Sequence, residues 1–363
     1  MLSPKAKRNI SRVIPFGIIW LFFSWVFLSI EYMALGSMQN VADSAIKMDL
    51  PIFIFSSLAI TLVGLIVGML EILYINKLFI NKSFAKKFFF KLIIYALFLF
   101  VIILITFPIA ASLELETHVL DPLVWERYLI FLTSNTNLST NLQLTVLLSI
   151  SLFYAEISEN IGHGILLNFF TGKYHKPTEE KRIFMFTDMR NSTSIAEKLG
   201  HIRYFGLLRE YYSDLSDAIV KHNGELYQYV GDEVIVSWRF KKGIANQNCL
   251  ACFFAMKADL QKHAKKYKKK FGLVPDFKAG MHFGKVTTGE IGALKKEIIF
   301  TGDVLNATAR IQGMCNALGV DLLMSEKLKE ELILLPSYKF KAMGEVELRG
   351  KSEKLELFTA EQT

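Results

Sequence analysis

Cysteine is scarce in this chain: Cys249, Cys252 and Cys315 are the only three in 363 residues. Three thiols cannot build the disulfide framework of a small secreted domain. Cys249 and Cys252 have C-x-x-C spacing, but no second pair completes a zinc site, and both fall in the apolar run Cys249–Met256. They read as helix-core thiols in a reducing cytosol. Internal repeats and low-complexity tracts are also missing, which excludes repeat architectures and biased linkers. No small-residue cleavage pattern follows the first apolar run, so that run is expected to be retained rather than removed as a signal peptide. Charge is nearly absent from the long apolar stretches, with Glu71 and Glu156 as the exceptions once Lys91, at the start of the third, is counted with the basic loop before it. Ion and proton paths need intramembrane charge, so transport is not the expected function. The net charge of +8 comes with no nucleic-acid-binding fold motif. Much of it sits in a loop between apolar segments and in the lysine run Lys257–Lys270, which reads as a solvated helix face; no nucleic-acid partner is expected.

What is abundant is hydrophobic: 52% of the residues, including 30 Phe, crowded into the first half. A helix needs roughly 20 apolar residues to cross a bilayer. Val13–Ile30, Pro51–Ile75 and Phe88–Ala111 meet that length, and a shorter fourth stretch runs from Leu142 to about Ser158. The flanking charges alternate in sign. Lys5, Lys7, Arg8 and Arg12 precede the first stretch, and Lys77, Lys82, Lys86, Lys87 and Lys91 follow the second. Acidic residues Glu31, Asp43 and Asp49 follow the first stretch, and Glu114, Glu116, Asp121 and Glu126 follow the third. Basic loops stay inside, so the N-terminus and the Lys77–Lys91 loop are expected on the cytoplasmic face. A fourth span then returns the chain to that side. The expected architecture is an integral membrane protein with an α-helical membrane domain of four transmembrane helices over 1–158, a coupling linker over 159–180 and a cytoplasmic domain over 181–363. Pro177 and the charged run Glu179-Glu180-Lys181-Arg182 mark that last boundary.

From Lys181 strands and helices interleave. Strands are expected at Arg182–Thr187, Leu226–Val230, Glu233–Trp238, Phe277–Phe283, Lys285–Ile291, Glu297–Phe300, Tyr338–Leu348 and Lys354–Phe358. Helices are expected at Ser194–Val220, Asn246–Phe271, Val304–Leu318 and Ser325–Leu332. This mixture predicts an α+β sandwich.

Three segments in this half carry chemistry. Phe186-Thr187-Asp188-Met189-Arg190-Asn191-Ser192-Thr193 places an acid at the end of a buried strand, before small polar residues that open a helix. The strand fixes the carboxylate, and free helix N-terminal N–H groups suit anionic oxygens; an Asp acting as a plain helix cap is the other reading. The second is Tyr227-Gln228-Tyr229-Val230-Gly231-Asp232-Glu233-Val234, a Gly-Asp hairpin. Its Asp232 lies beside Asp188 if the two strands pair, and close carboxylates with only oxygen ligands favour Mg²⁺ or Mn²⁺. As turn chemistry alone, Gly-Asp is common. The third is Gly302-Asp303-Val304-Leu305-Asn306-Ala307-Thr308-Ala309-Arg310. Asn306 and Arg310 are one helical turn apart, either a solvated face or an amide and guanidinium pair for a ribose and a phosphoryl group.

Together, in this order, the three segments resemble the catalytic domain of class III adenylate and guanylate cyclases, from about Arg182 to Phe358. The resemblance implies a ferredoxin-like sandwich and a homodimer with active sites at its interface. It implies that Asp188 and Asp232, helped by the Met189 carbonyl, bind two divalent ions per site, Mg²⁺ or Mn²⁺. Asn306 and Arg310 of the other subunit are then the catalytic pair, and Arg190, Asn191, Ser192 and Thr193 line the substrate. Arg349 and Lys351 stand where the family usually has a basic residue near the triphosphate. The base-reading positions depart from the family. Gln228 stands where adenylate cyclases carry Lys and guanylate cyclases Glu, and Ile299 where Asp, Thr or Cys is usual. A Gln amide both donates and accepts, so it can read either base. ATP is the expected substrate on family frequency, and GTP remains open. Two alternatives stand beside the cyclase reading. One is a catalytically silent cyclase fold that binds nucleotide or dimerises. The other is a diguanylate cyclase, whose Gly-Gly-Asp-Glu-Phe signature Val230-Gly231-Asp232-Glu233-Val234 matches except for its first Gly.

Overall fold

The computed structural model describes residues 3–35, 46–47, 49–79, 82–332, 338–347 and 354–362. Arg349 and Lys351 lie outside them. The chain forms two compact units: Ala6–Leu167, and Asn168–Thr363 together with the first five residues.

In the first unit four helices are long and apolar enough to cross a membrane. They are α1 (Pro4–Leu35), α2 (Leu50–Leu70), α4 (Phe84–Glu114) and α6 (Asn135–Ile161). A π-turn at Glu71–Ile75 and the short α3 (Asn76–Leu78) prolong α2. Their starts follow capping rules: Asp49 accepts from the Ile52 N–H at 2.8 Å and Ser134 from the Asn137 N–H at 3.2 Å. The fourth helix begins several residues before the expected Leu142, within a polar stretch. Its hydroxyl and amide side chains bond back to carbonyls one turn earlier, as Thr140 does to Thr136 (2.9 Å) and Thr145 to Asn141 (2.7 Å). That satisfies polar groups within the helix itself. A further helix, α5 (Pro122–Leu132), was not foreseen; Asp121 caps it and Pro122 opens it. Phe107 stacks on its Phe131 with ring centroids 4.2 Å apart.

The bundle is packed closely enough that two glycines are required. A Cβ on Gly64 would stand 2.7 Å from Trp20, and one on Gly68 2.7 Å from Phe16. Trp20 in turn donates to the Ser151 hydroxyl at 2.8 Å, tying α1 to α6. At the π-turn lies a buried charge cluster. Glu71 and Lys91 are 1% and 4% exposed and form an ion pair with each other. Tyr95 donates to Glu71 at 3.1 Å, and Lys91 also donates to Asn76 at 3.1 Å. Asn76 donates onward to Glu159 of α6. Such a pair is held by completeness, because removing one partner strands the other charge. Lys91→Met is expected to destabilise the protein by about 3–5 kcal/mol, and Glu71→Leu on that background to recover most of the loss. Unfolding in detergent of the single and double variants measures this.

The second unit begins with α7 (His163–Phe170), which spans the boundary, and β1 (Thr178–Met189). Next come α8 (Ser192–Leu199), α9 (His201–Lys221), β2 (Glu225–Val230), β3 (Glu233–Arg239), α10 (Phe240–Ile244), α11 (Asn248–Lys262) and α12 (Ala264–Phe271). The chain closes with β4 (Phe277–Ile291), β5 (Glu297–Thr301), α13 (Asp303–Gly313), β6 (Leu322–Ser325), α14 (Glu326–Glu331), β7 (Tyr338–Glu347) and β8 (Lys354–Gln362). The strands make one mixed sheet in the order β2-β3-β1-β4-β6-β8-β7, with β5 paired to the far end of β4. Only β4–β6 is parallel among the described pairings. This is the expected α+β sandwich.

Strand alternation explains the two faces. Ile183 and Met185 of β1 enter the core under α9 and α11, while Phe184 and Phe186 face Val304 of α13. Cys249 and Cys252 are fully buried free thiols in the first of these cores. On the other face α13 lies directly on β4, where a Cβ on Gly280 would come within 2.4 Å of the Gln312 backbone nitrogen.

Several expected elements change in detail. The helix expected over Ser194–Val220 is two, broken at Gly200 with φ 72°. Asn246–Phe271 is likewise divided: Asn246 and Gln247 take left-handed φ of 52° before α11, and His263 separates α11 from α12. Gly284 does not interrupt β4, because it faces Val304 at close range and needs no side chain there. The helix expected to reach Leu318 stops at Gly313. The short strand β6 was not expected; four residues, all buried, carry no readable alternation.

The lysine run is not uniformly a solvated face. Lys257 is half-buried and reaches Asp276 and Asp321 at 2.5 and 2.8 Å. Arg190 donates to the same Asp321 at 2.9 Å and to the Val320 carbonyl at 3.1 Å. Burial raises the Asp321 pKa, but the hydrogen bonds and charges of Lys257 and Arg190 outweigh it and hold the group below its ordinary 3.8. A depressed carboxylate contributes stability above its unfolded value and loses it as pH falls through the folded value. Asp321→Asn is therefore expected to lower stability at pH 7. Its difference from the wild type is expected to narrow below about pH 4, as read by denaturant titration across a pH series.

Candidate active site

The site is assembled at one end of β1. Asp188 is the penultimate residue of that strand, and β1 pairs antiparallel with β3 and β4 on its two sides. Asp232 lies in the two-residue turn between β2 and β3, where Gly231 takes φ 61°. Pairing of β1 with β3 brings that turn to the end of β1. Asp232 Oδ2 accepts the Met189 N–H at 3.2 Å, and the Asp188 and Asp232 carboxyl groups are within hydrogen-bonding reach of each other. The Tyr212 hydroxyl donates to the Gly231 carbonyl, and its ring stacks on Tyr229 at 4.2 Å, which fixes the turn from outside.

Around Asp232 the shifts run in one direction. Burial and then the Asp188 charge push the Asp232 pKa up, against the opposing Ser192 hydroxyl. Burial and the same two carboxylates raise Glu233, and burial with the Asp232 charge lifts Tyr212 to about 12. Tyr204 is raised too, first by burial and then by Asp232. Burial leads each of these shifts; the smaller part, which comes from the carboxylate charges, is the part that a cation would relieve. Among the described residues no three His, Cys, Asp or Glu side chains converge as a metal cluster. A cation here would rest on two carboxylates, backbone oxygen and oxygens brought by a ligand, a donor set that fits Mg²⁺ or Mn²⁺.

The other sequence-derived residues are placed as follows. Asn191, in the left-handed region at φ 56°, precedes α8, with Ser192 and Thr193 in its first turn. The Ser192 hydroxyl is near Asp232 and Tyr204. The Arg190 guanidinium turns toward Asp321 rather than toward the carboxylate pair. Asn306 and Arg310 are exposed on α13, one turn apart, while Val304, Ala307 and Thr308 are buried beneath them. Gln228 is exposed on the edge strand β2, just past a register shift at Tyr227. Ile299 is half-buried on β5, opposite Gly289. The Tyr227 hydroxyl accepts the Phe300 N–H at 3.3 Å and the two rings lie 4.8 Å apart, so β2 and β5 meet next to Gln228 and Ile299.

One residue at this site escaped sequence reasoning. Lys278 of β4 is 8% exposed, and its ammonium stands 3.1 Å from Asp188 Oδ2. The available signal was a lone lysine inside the buried run Phe277–Phe283. A charge in such a strand requires a partner.

The chain has relatives among known proteins. Residues 174–361, just over half of the chain, match the family described as the adenylate and guanylate cyclase catalytic domain. The chain is 32% identical over 204 residues to adenylate cyclase 2 of Rhizobium meliloti (strain 1021), an alignment covering 56% of each protein. It is 26% identical over 181 residues to an adenylate cyclase of Anabaena cylindrica, covering 48% of this chain and 35% of that one. The chain thus spans about half or less of the length of these relatives. A bacterial light-regulated adenylyl cyclase structure superposes with a TM-score of 0.53 at 18% identity, covering 62% of this chain and 65% of that one; the likeness is one of fold. With the paired aspartates at one end of β1 and the Asn–Arg pair on α13, the chain belongs to the adenylate and guanylate cyclase catalytic-domain family.

Proposed function

We propose that the protein is a membrane-anchored nucleotide cyclase that converts ATP to its 3′,5′-cyclic monophosphate and pyrophosphate at a homodimer interface. In this reading 1–158 anchors the chain, 159–180 couples the anchor to the enzyme, and 181–363 is the cytoplasmic catalytic domain. The observation that carries the proposal is the meeting of Asp188 and Asp232, with Met189 between them, in a negative locus beside the start of α8.

Asp188, Asp232 and the Met189 carbonyl are the residues assigned to hold two divalent ions. Bound there, the ions supply positive charge to the triphosphate and to the attacking oxygen. Asn191, Ser192 and Thr193 offer N–H and hydroxyl donors to phosphate oxygens at the start of α8. Among the described residues Asn306 and Arg310 have no side-chain hydrogen-bond or ion-pair partner and stand exposed on α13, as groups that serve a neighbouring subunit must. Asn306 orients the ribose, and the Arg310 guanidinium meets the charge that grows on the phosphoryl oxygens. The 3′-oxygen attacks the α-phosphorus in line, the bond to the bridging oxygen breaks, and pyrophosphate leaves. Gln228 and Ile299 are the assigned base-contacting residues. Ile299 makes no side-chain hydrogen bond and Gln228 can read either purine, so GTP is the competing substrate.

Membranes bearing the full-length protein are expected to form cyclic AMP from ATP with Mn²⁺, faster than cyclic GMP from GTP. Asp188→Ala and Arg310→Ala are each expected to lower turnover by at least about 100-fold. Co-expression of the two variants is expected to restore about a quarter of wild-type turnover, because half the dimers then hold one intact site of two. A folded dimer without turnover of either nucleotide would instead favour the silent nucleotide-binding module, the reading that the unusual Gln228 and Ile299 support.

A further inference from the structure

We propose that Lys278 is a positioning residue that clamps one oxygen of Asp188 and keeps the carboxylate pair from binding a divalent cation tightly until nucleotide arrives. The inference rests on the assignment of Asp188 and Asp232 as metal ligands, and it concerns a residue on a different strand.

Lys278 and Asp188 are direct partners in the β1–β4 register, so their side chains leave the sheet on the same face. Lysines on exposed sheet edges extend their ammonium groups into water. This one does not. Gly280, two residues along β4 on the same face, lets the backbone of α13 approach so closely that a Cβ there would meet Gln312 at 2.4 Å. Lys278 is thereby covered, at 8% exposure, and its Nζ lies 3.1 Å from Asp188 Oδ2. A charge so deeply placed is held by its partner.

Two consequences follow for the site. With Oδ2 engaged by the ammonium, that oxygen is less available to a cation. The ammonium also cancels one of the two carboxylate charges. A dication held by the pair would be repelled by this fixed monocation, and the repulsion is poorly screened at a half-buried site. The polyphosphate of a nucleotide restores the missing negative charge. Metal and nucleotide therefore load together, and free metal ion alone occupies the site poorly.

The test is Mn²⁺ binding to the full-length protein in detergent, without nucleotide, read as loss of the free-ion electron paramagnetic resonance signal. Lys278→Met, similar in length and uncharged, is expected to bind Mn²⁺ at least tenfold more tightly than wild type. Lys278→Arg, which keeps the charge, is expected to bind as weakly as wild type. In wild type, 3′-deoxy-ATP, which lacks the attacking oxygen, is expected to tighten Mn²⁺ binding. Equal or weaker Mn²⁺ binding by Lys278→Met overturns the proposal, as does equal tightening by Lys278→Arg. If Lys278→Met fails to fold, Lys278→Gln gives the same readout. Wild-type turnover measured in parallel separates the two readings. Tightening in Lys278→Met without wild-type turnover keeps the clamp and removes the cyclase, and turnover without tightening does the reverse.

Discussion

The pairing of β1 with β3 on one side and β4 on the other is the constraint on which the catalytic unit rests. β1 is buried on both faces, with Ile183 and Met185 in one core and Phe184 in the other. Its register therefore cannot slip by one residue without turning both sets of side chains into the wrong layer. That register delivers Asp188 to the end of the sheet, opposite Lys278 and next to the turn that carries Asp232. Arg182, nearly fully buried at the outer end of the same strand, is held by Glu180 and Glu225 at 2.7 Å each and by the Ser237 hydroxyl at 3.1 Å. One strand thus carries a closed charge cluster at one end and an open one at the other. The closed cluster has its counter-ions in Glu180 of β1 itself and Glu225 of β2; the open cluster sets two carboxylates against one ammonium.

Charge in the membrane unit is handled by enclosure. Glu71 and Lys91 would each be costly in an apolar bundle, and together they are satisfied by Tyr95 and Asn76. The π-turn at Glu71–Ile75 is where this happens, and an irregular turn inside a long helix often marks a place where side chains dictate backbone geometry. Through Asn76 the cluster reaches Glu159 on α6. Spans two, three and four are therefore joined by polar contacts at one level, in addition to the apolar packing of Trp20 and Phe16 against Gly64 and Gly68.

Arg190 and Lys278 show how one chemical type takes two roles close to one site. The Arg190 guanidinium is turned away from the carboxylates into the Asp321–Lys257–Asp276 cluster, where it fixes the loop after β1. Lys278 is turned into the carboxylates themselves. A sequence with an Arg two residues after Asp188 invites the assignment of that Arg to the substrate. The assignment of the lysine, distant in sequence, depends on strand register.

The sequence by itself determined the order of the parts. Four apolar stretches, a polar boundary near Pro177, the Gly-Asp hairpin and the Asn306–Arg310 turn are local patterns, set by hydrophobic length and by 3.6- and 2-residue periods. They were legible for that reason. Boundaries were less legible where local propensity met a tertiary demand: Gly284 stays in β4 because α13 covers it, and β6 is four buried residues that only the neighbouring strands identify. Tertiary structure alone decided which carboxylates meet, that Lys278 faces Asp188, that Arg190 is committed to Asp321, and that Glu71 finds Lys91. Each of these joins residues distant in sequence. Such contacts follow from strand register and helix packing, which are fixed by the burial of many side chains at once and by no single segment.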